Sequence, residues 1–249
     1  MSPSTDLREH REFASEIKFL VAPALAEQIR AWARARLAPD PNASGESNDT
    51  YRISSLYFDT ERFDVYHRKG SFGRSKFRAR RYDSNEVVFL ERKLKTRGLL
   101  AKRRSIIDPD ELQRLADAEP DRDWVGGWFH NRLLARRLRP VCQISYNRTA
   151  RVAMTNYGPI RLTLDDGIRV LQAGGLLFNN SGDGTVLSEQ NIILELKYRF
   201  EMPALFKLLT EEFALNPHPV SKYRLAVVAL GFVPEPGLNG HPKTAPGTL

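Results

Sequence analysis

The stretch Lys76–Lys95, KFRARRYDSNEVVFLERKLK, constrains the fold of this chain more than any other. Two runs of period-two patterning flank Asp83-Ser84-Asn85, residues that favour turns, so a β-hairpin is expected. Side chains alternate across a strand. Lys76, Arg78, Arg80 and Tyr82 therefore share one face of the first run, with Phe77 and Ala79 on the other. In the second run Phe89, Glu91, Lys93 and Lys95 share a face opposite Val88, Leu90 and Leu94. An ordinary half-buried strand turns an apolar face inward and a mixed polar face to water. Here the polar face is nearly all cationic, with the single carboxylate of Glu91 among the bases.

The same pattern recurs along the chain. Glu16–Val21 sets Glu16 and Lys18 opposite Ile17, Phe19 and Val21. Leu99–Ile107 carries Lys102 and Arg104 on one face, and Val141–Ala153 carries Tyr146 and Arg148. Ile160–Asp165 groups Arg161, Thr163 and Asp165 against Leu162 and Leu164. Asn191–Tyr198 sets Glu195 and Lys197 against Leu194, Leu196 and Tyr198, and Tyr51–Asp59 is a further expected strand. Helices are expected from Pro23 to about Leu37, from Pro109 with Asp108 as its N-cap, over Trp124–Arg139, from Pro203 to about Leu215, and over Ser221–Leu230. Pro39–Thr50 and Ala173–Gly184 are expected loops. A single domain over 14–231 is expected, with 1–13 and 234–249 as disordered tails.

Composition narrows the partners. With 38 lysines and arginines against 30 acidic residues, the formal charge of +8 points to an anionic partner. The one cysteine, Cys142, excludes an internal disulfide and a Cys-based zinc cluster. The polar N-terminus lacks a secretory core segment, and no apolar run approaches the ~20 residues of a membrane span, so a cytoplasmic location is expected.

A sheet patterned in this way either lies open, its basic face in water, or curls. The apolar faces and amphipathic helices argue that the helices pack outside. If the sheet closes into a barrel, its interior is lined with Arg, Lys and a few Glu, and only a polyanion could fill it. Phosphate chains fit, because Arg offers paired planar donors and Lys a mobile point charge. Glu16, Glu91 and Glu195 suit a divalent cation, Mg²⁺ or Mn²⁺, bridging protein and phosphate. The reaction implied is phosphoryl transfer, in which the protein positions groups and stabilises charge. There is no P-loop, no Gly-x-Ser-x-Gly, no His-Glu-x-x-His and no dinucleotide glycine pattern. Nucleic acid is disfavoured, since the bases sit on alternating strand positions with few aromatics to stack on.

Nine motifs occur in order: Glu16-x-Lys18-Phe19, Ser55-Leu-Tyr-Phe-Asp59, Lys76-Phe-Arg-x-Arg80, Leu90-Glu-x-Lys93, Lys102-x-Arg104, Tyr146-x-Arg148, Arg161-x-Thr-x-Asp165, Leu194-Glu-x-Lys197 and Ser221-Lys-Tyr223. This series resembles the VTC domain, the polyphosphate polymerase domain of the triphosphate tunnel metalloenzyme (CYTH-like) superfamily, over about residues 14 to 231. The resemblance implies an α+β fold, an eight-stranded antiparallel β-barrel tunnel with a charged interior and helices packed outside. It implies an ATP-dependent polyphosphate polymerase that moves the ATP γ-phosphate onto a growing chain and releases ADP. The alternatives are a metal-dependent tunnel triphosphatase or a non-catalytic polyphosphate-binding module.

Carried over by motif, Lys18, Arg78, Arg80, Lys93, Arg148 and Arg161 are the implied catalytic cations. Lys102, Arg104, Tyr146, Lys197, Ser221 and Lys222 are the implied substrate contacts, Tyr146 near the nucleotide, with Glu195 and Glu16 as the metal ligands, for Mn²⁺ or Mg²⁺. Glu91 is expected to orient arginines. Arg103, Arg136 and Arg137 fall off the tunnel parity and are expected in solvent. CYTH-branch triphosphatases begin with Glu-x-Glu-x-Lys, whereas the first of those positions here is Ala14, which favours the VTC branch. Larger family members carry membrane segments, so any coupling to translocation implies a separate membrane partner.

Overall fold

The computed structural model describes residues 6–7, 15–41, 43, 49–83, 86–96, 99–182, 184–187 and 190–234. Ala14, Ser84, Asn85 and both expected tails beyond those bounds lie outside the described residues.

Eight strands form the framework: β1 (Ser15–Val21), β2 (Thr50–Asp59), β3 (Ser75–Tyr82), β4 (Val88–Thr96), β5 (Leu99–Ile107), β6 (Arg139–Thr155), β7 (Gly158–Gln172) and β8 (Ile192–Tyr198). All pair antiparallel in the order β5-β4-β3-β2-β6-β7-β8-β1, and short pairings at 6–7, 38–39 and 185–186 extend the sheet. This is the expected tunnel fold, with one qualification. Among the described residues no backbone ladder joins β1 to β5, so the sheet curls without closing by hydrogen bonds. The curl nevertheless brings Glu16 of β1 within 3.9 Å of Lys93 on β4.

Apolar side chains facing outward bind the helices. Helix α1 (Pro23–Arg36) starts on a proline, whose missing N–H costs nothing in the first turn. It buries Ile29 and Trp32 in a cluster with Phe19, Leu162, Leu164, Leu194 and Leu196, the expected outer rows of β1, β7 and β8. Phe206 and Leu209 of α4 (Ala204–Glu212) complete that layer. On the other flank, α3 (Gly127–Arg136) places Phe129 against Phe58 and Phe77 in edge-to-face contacts. The piece after Pro109 is a 3-10 helix, Pro109–Ala116; the Glu111 carboxylate accepts from the Asp108 backbone N–H at 3.0 Å, a capping contact. β6 and β7 are longer than their patterning indicated, because pairing with β2 and with each other carries the ladder past the patterned residues.

α5 (Lys222–Ala229) lies differently. It packs on β6, where Cys142 and Ile144 share the inward face with Tyr146 and Arg148. Tyr223 stacks on the inward ring of Tyr57, with centroids 5.4 Å apart. The start of α5 therefore faces into the curl of the sheet. Asp59 anchors this end: its carboxylate accepts from the backbone N–H groups of Val65 and Tyr66 in α2 (Asp64–His67) and from the Tyr223 hydroxyl. Among the described residues, no helix is long and apolar enough to cross a membrane.

Candidate active site

Strand register converts the alternating bases into rows that run around the inner wall. Tyr57, Arg78, Glu91 and Arg104 are successive cross-strand partners on β2, β3, β4 and β5. One step along, Lys76, Lys93 and Lys102 are aligned. On the opposite wall Thr163, Glu195 and Lys18 form a row across β7, β8 and β1, and Arg161, Lys197 and Glu16 form the next. Tyr51, Arg148 and Asp165 are aligned across β2, β6 and β7. Every site residue expected on a strand thus faces the interior, and Ser221 and Lys222 reach it from α5.

Glu91 is the hub of one wall and is fully buried. Its carboxylate accepts from Arg78 Nε at 2.7 Å and Arg104 Nε at 2.8 Å, and Lys102 Nζ lies 3.3 Å away. Burial would raise its pKa, but Arg78, Lys102, Arg80 and Arg104 hold it well below the ordinary carboxylate range. Its expected orienting role is what this geometry provides.

The other wall is built on lysines. Glu195 receives Lys18 Nζ at 2.9 Å, Lys197 at 3.3 Å and Lys222 at 3.4 Å. Lys18 also contacts Glu16 at 3.1 Å, so one ammonium sits between the two carboxylates. Against burial, Lys222, Lys197 and Lys18 keep Glu195 strongly ionised. Burial is also outweighed at Glu16, where Lys93, Lys197 and Lys18 lower the pKa to about 2. Asp165 binds Arg148 through two bonds of 2.6 and 2.7 Å and Lys222 at 2.5 Å.

The arginines between the hubs are held by hydroxyls and, at Arg161, by a carboxylate as well. Arg80 donates to Ser55 Oγ at 3.0 Å and to the Tyr146 hydroxyl at 3.1 Å. Arg161 donates to the Tyr51 hydroxyl at 2.7 Å and pairs with Asp40 at the same distance. Lys76 donates to Ser221 Oγ at 2.9 Å. Enclosure, with Lys18, Arg78 and Arg68 nearby, lowers Lys76 to about 8. Enclosure, Lys197 and Arg78 likewise push Lys93 well below the usual lysine range. Among the described residues, eleven lysines and arginines therefore face five carboxylates, Asp40 included. Two buried donors, Arg161 Nε and Thr163 Oγ1, have no partner among the described residues.

Several of these groups were not among the expected site residues. Ser55 and Tyr57 share a parity in Ser55-Leu-Tyr-Phe-Asp59 and could have been placed inward from it. Lys76 lies on the cationic face of the hairpin. Tyr51 shares the parity of Ser55 and Tyr57, whereas Asp40 has no local signal, since only the curl brings it to Arg161. Arg103 and Arg136 are corrected: their guanidiniums sit over Trp128 and Phe72, 4.2 and 5.1 Å from the ring centroids, because a cation is attracted to an aromatic face. Of the three expected in solvent only Arg137 is exposed.

Two carboxylates are what the wall offers a metal. Among the described residues no group of three Asp, Glu, His or Cys side chains stands together as a cation site. Mg²⁺ and Mn²⁺ on phosphates commonly take one or two protein carboxylates and complete their shell with phosphate oxygens and water, so Glu16 and Glu195 fit that share. A cavity of about 530 Å³ outside the tunnel, lined by Arg52, Arg81, Asp83, Glu86 and Asn180 among others, mixes both charge signs.

A family model described as the VTC domain matches residues 13–230. No curated protein matches the chain. Among solved structures, a candidate adenylate cyclase from Bacillus halodurans superposes with a TM-score of 0.54 at 16% identity, covering 84% of this chain and 94% of that one. A candidate adenylyl cyclase from Hippeastrum with a dominant triphosphatase activity gives 0.49 at 16% identity, over 90% of this chain and 98% of that one. The former likeness shows a shared fold.

Proposed function

The chain belongs to the VTC domain family, and on that premise we propose that it is an ATP-dependent polyphosphate polymerase, with 14–231 as the catalytic unit. Membership makes it a triphosphate tunnel protein and a phosphate-related enzyme of a metal-dependent superfamily. The observation that carries the finer reading is the excess of inward cations, with Arg161 Nε and Thr163 Oγ1 left unsatisfied. A wall with this surplus of cations is electrostatically frustrated by itself, and a chain of phosphates relieves it along its whole length.

In this reading the terminal oxygen of a polyphosphate chain attacks the γ-phosphorus of ATP. The new P–O bond forms as the bond from the γ-phosphorus to its bridging oxygen breaks, and ADP leaves with that electron pair. The attacking oxygen is already anionic, so no general base is needed. Arg78, Arg80, Arg148 and Arg161 present guanidinium forks to the equatorial oxygens, where charge accumulates in the transition state. Each fork is fixed beforehand: Arg78 by Glu91, Arg80 by Ser55 and Tyr146, Arg148 by Asp165, Arg161 by Tyr51. Lys18, Lys93, Lys102, Arg104, Lys197 and Lys222 neutralise the remaining phosphates, with Ser221 holding Lys76 beside them. Tyr146 is hydrogen-bonded to Arg80 and lies 4.9 Å from Lys222 Nζ, a position suited to holding those cations. Glu195 and Glu16 would hold Mn²⁺ or Mg²⁺, which neutralises phosphate charge. Coupling to translocation would require a separate membrane protein.

The test is incubation of the pure protein with ATP and Mn²⁺, followed by electrophoresis with polyphosphate staining. A ladder or smear of long chains, absent for Glu195→Gln, is expected. Orthophosphate without chains would replace the reading with a triphosphatase, and bound polyphosphate without turnover with a binding module.

A further inference from the structure

The outer face of the same sheet carries a second group of bases that the tunnel does not use. Arg92 on β4 and Arg103 on β5 are direct cross-strand partners. Each is one residue out of step with the inward Glu91, Lys93, Lys102 and Arg104, so both project outward. α3 lies over this flank and presents Trp128, Arg132 and Arg136 at intervals of four, a single stripe along the helix. The stripe and the strand pair meet where Arg103 covers Trp128.

Aromatic packing explains where two of these guanidiniums rest. It does not explain why four are gathered. Partial burial disfavours the charge of Arg92 most, and Arg132, Arg103 and Arg136 disfavour it further. Arg92 Nε and Arg136 Nη1 are buried without an acceptor among the described residues. Like charges on facing strand positions and successive helical turns destabilise a fold, as do unsatisfied buried donors. An arrangement costly in three ways at once is what a preorganised anion site looks like before its ligand arrives.

We propose that Arg92, Arg103, Arg132 and Arg136 form an oxyanion site outside the tunnel for a short phosphate oligomer. Cations from two facing strand positions and two turns of the covering helix, all acting on Arg92, call for a ligand with several charges on few atoms, which a phosphate oligomer has and an acidic peptide spreads out. Guanidinium forks with planar, ring-supported geometry match tetrahedral oxygens better than they match water. The sheet separates this site from the tunnel, so the two bind independently. The proposal does not rest on the polymerase reading, because its readout is binding.

The full chain would be titrated calorimetrically with inorganic tripolyphosphate in EDTA. Two classes of site are expected. The double variant R92Q/R136Q should weaken one class about tenfold or more, while leaving the other and the turnover within about twofold. Arg161→Ala should weaken only the class that R92Q/R136Q spares. Without any anion, R92Q should melt above the wild type, since it removes a repelled charge. A single class in the wild type, or two classes unmoved by R92Q/R136Q, overturns the site. Should the double variant misfold, Arg92→Lys keeps the charge and loses the fork, and unchanged affinity in it is equally fatal. Oligoglutamate binding as tightly as tripolyphosphate at the same residues would overturn the phosphate assignment.

Discussion

Glu91 and Glu195 are both buried carboxylates ringed by bases on facing walls of one tunnel, yet they are built differently. Glu91 is gripped chiefly by two arginines, whose forks have fixed direction and remain charged at any working pH, with Lys102 beside them. Glu195 is gripped by lysines, compact ammoniums on flexible stems, and each has a second carboxylate to turn to: Glu16 for Lys18 and Lys197, Asp165 for Lys222. Arginine contacts make a hub rigid. Lysine contacts make one that can exchange partners, as a site must when phosphate and metal enter. The contrast separates a wall that holds shape from a wall that changes occupancy.

The sharpest way to break this comparison is by turnover. Arg78→Ala and Arg161→Ala should each cut the rate by orders of magnitude while the protein still folds, because each removes a desolvated contact to transition-state charge. A rate within a few-fold of wild type would remove that residue from the site. Stability should then divide the hubs. Glu91→Gln takes the counter-charge from buried Arg78, whose other oxygen partner is the Tyr57 hydroxyl, and should cost about 3–5 kcal/mol in chemical denaturation. Glu195→Gln should cost clearly less, since its lysines keep Glu16 and Asp165, while turnover is lost. Equal losses would erase the distinction.

Smaller effects appear with pH. Lys76 is lowered to about 8 in the folded protein, so the unfolded chain binds the extra proton between about 8 and the ordinary lysine value, and stability gains with rising pH there. Lys76→Met should therefore be more stable than wild type near pH 7, with the gap shrinking toward pH 10. For the same reason, triphosphate binding near pH 8.5 should take up protons, measurable as a buffer-dependent binding enthalpy. The sign reverses for Glu16, held at about 2: its contribution is complete above the ordinary carboxylate pKa and lost as pH falls toward 2. The melting difference between wild type and Glu16→Gln should close over that interval.

Much of this was legible beforehand, and what escaped did so for physical reasons. The inward rows could be named because alternation is a property of each strand alone: Phe77 and Ala79 are buried outside and Arg78 and Arg80 inside, as their parity demands. Strand ends were less legible. β6 and β7 run well past their apolar cores, since pairing with a neighbouring strand sustains a strand beyond what its own pattern signals. The segment after Pro109 has helical spacing and a helical start, but its i+3 hydrogen bonds are a choice that composition does not dictate.

What the sequence by itself determined is the two-faced character of every strand and, with it, the need for an anion inside and helices outside. What only the tertiary structure decided is who meets whom. The curl brings Asp40 and Tyr51 to Arg161, drives Lys222 between Asp165 and Glu195, sets α5 inside the bend, and seats Arg103 and Arg136 over aromatic rings where solvent was expected. Alternation is fixed by bonds within a residue or two. These meetings depend on register, twist and packing summed over the whole sheet, and no short stretch contains them.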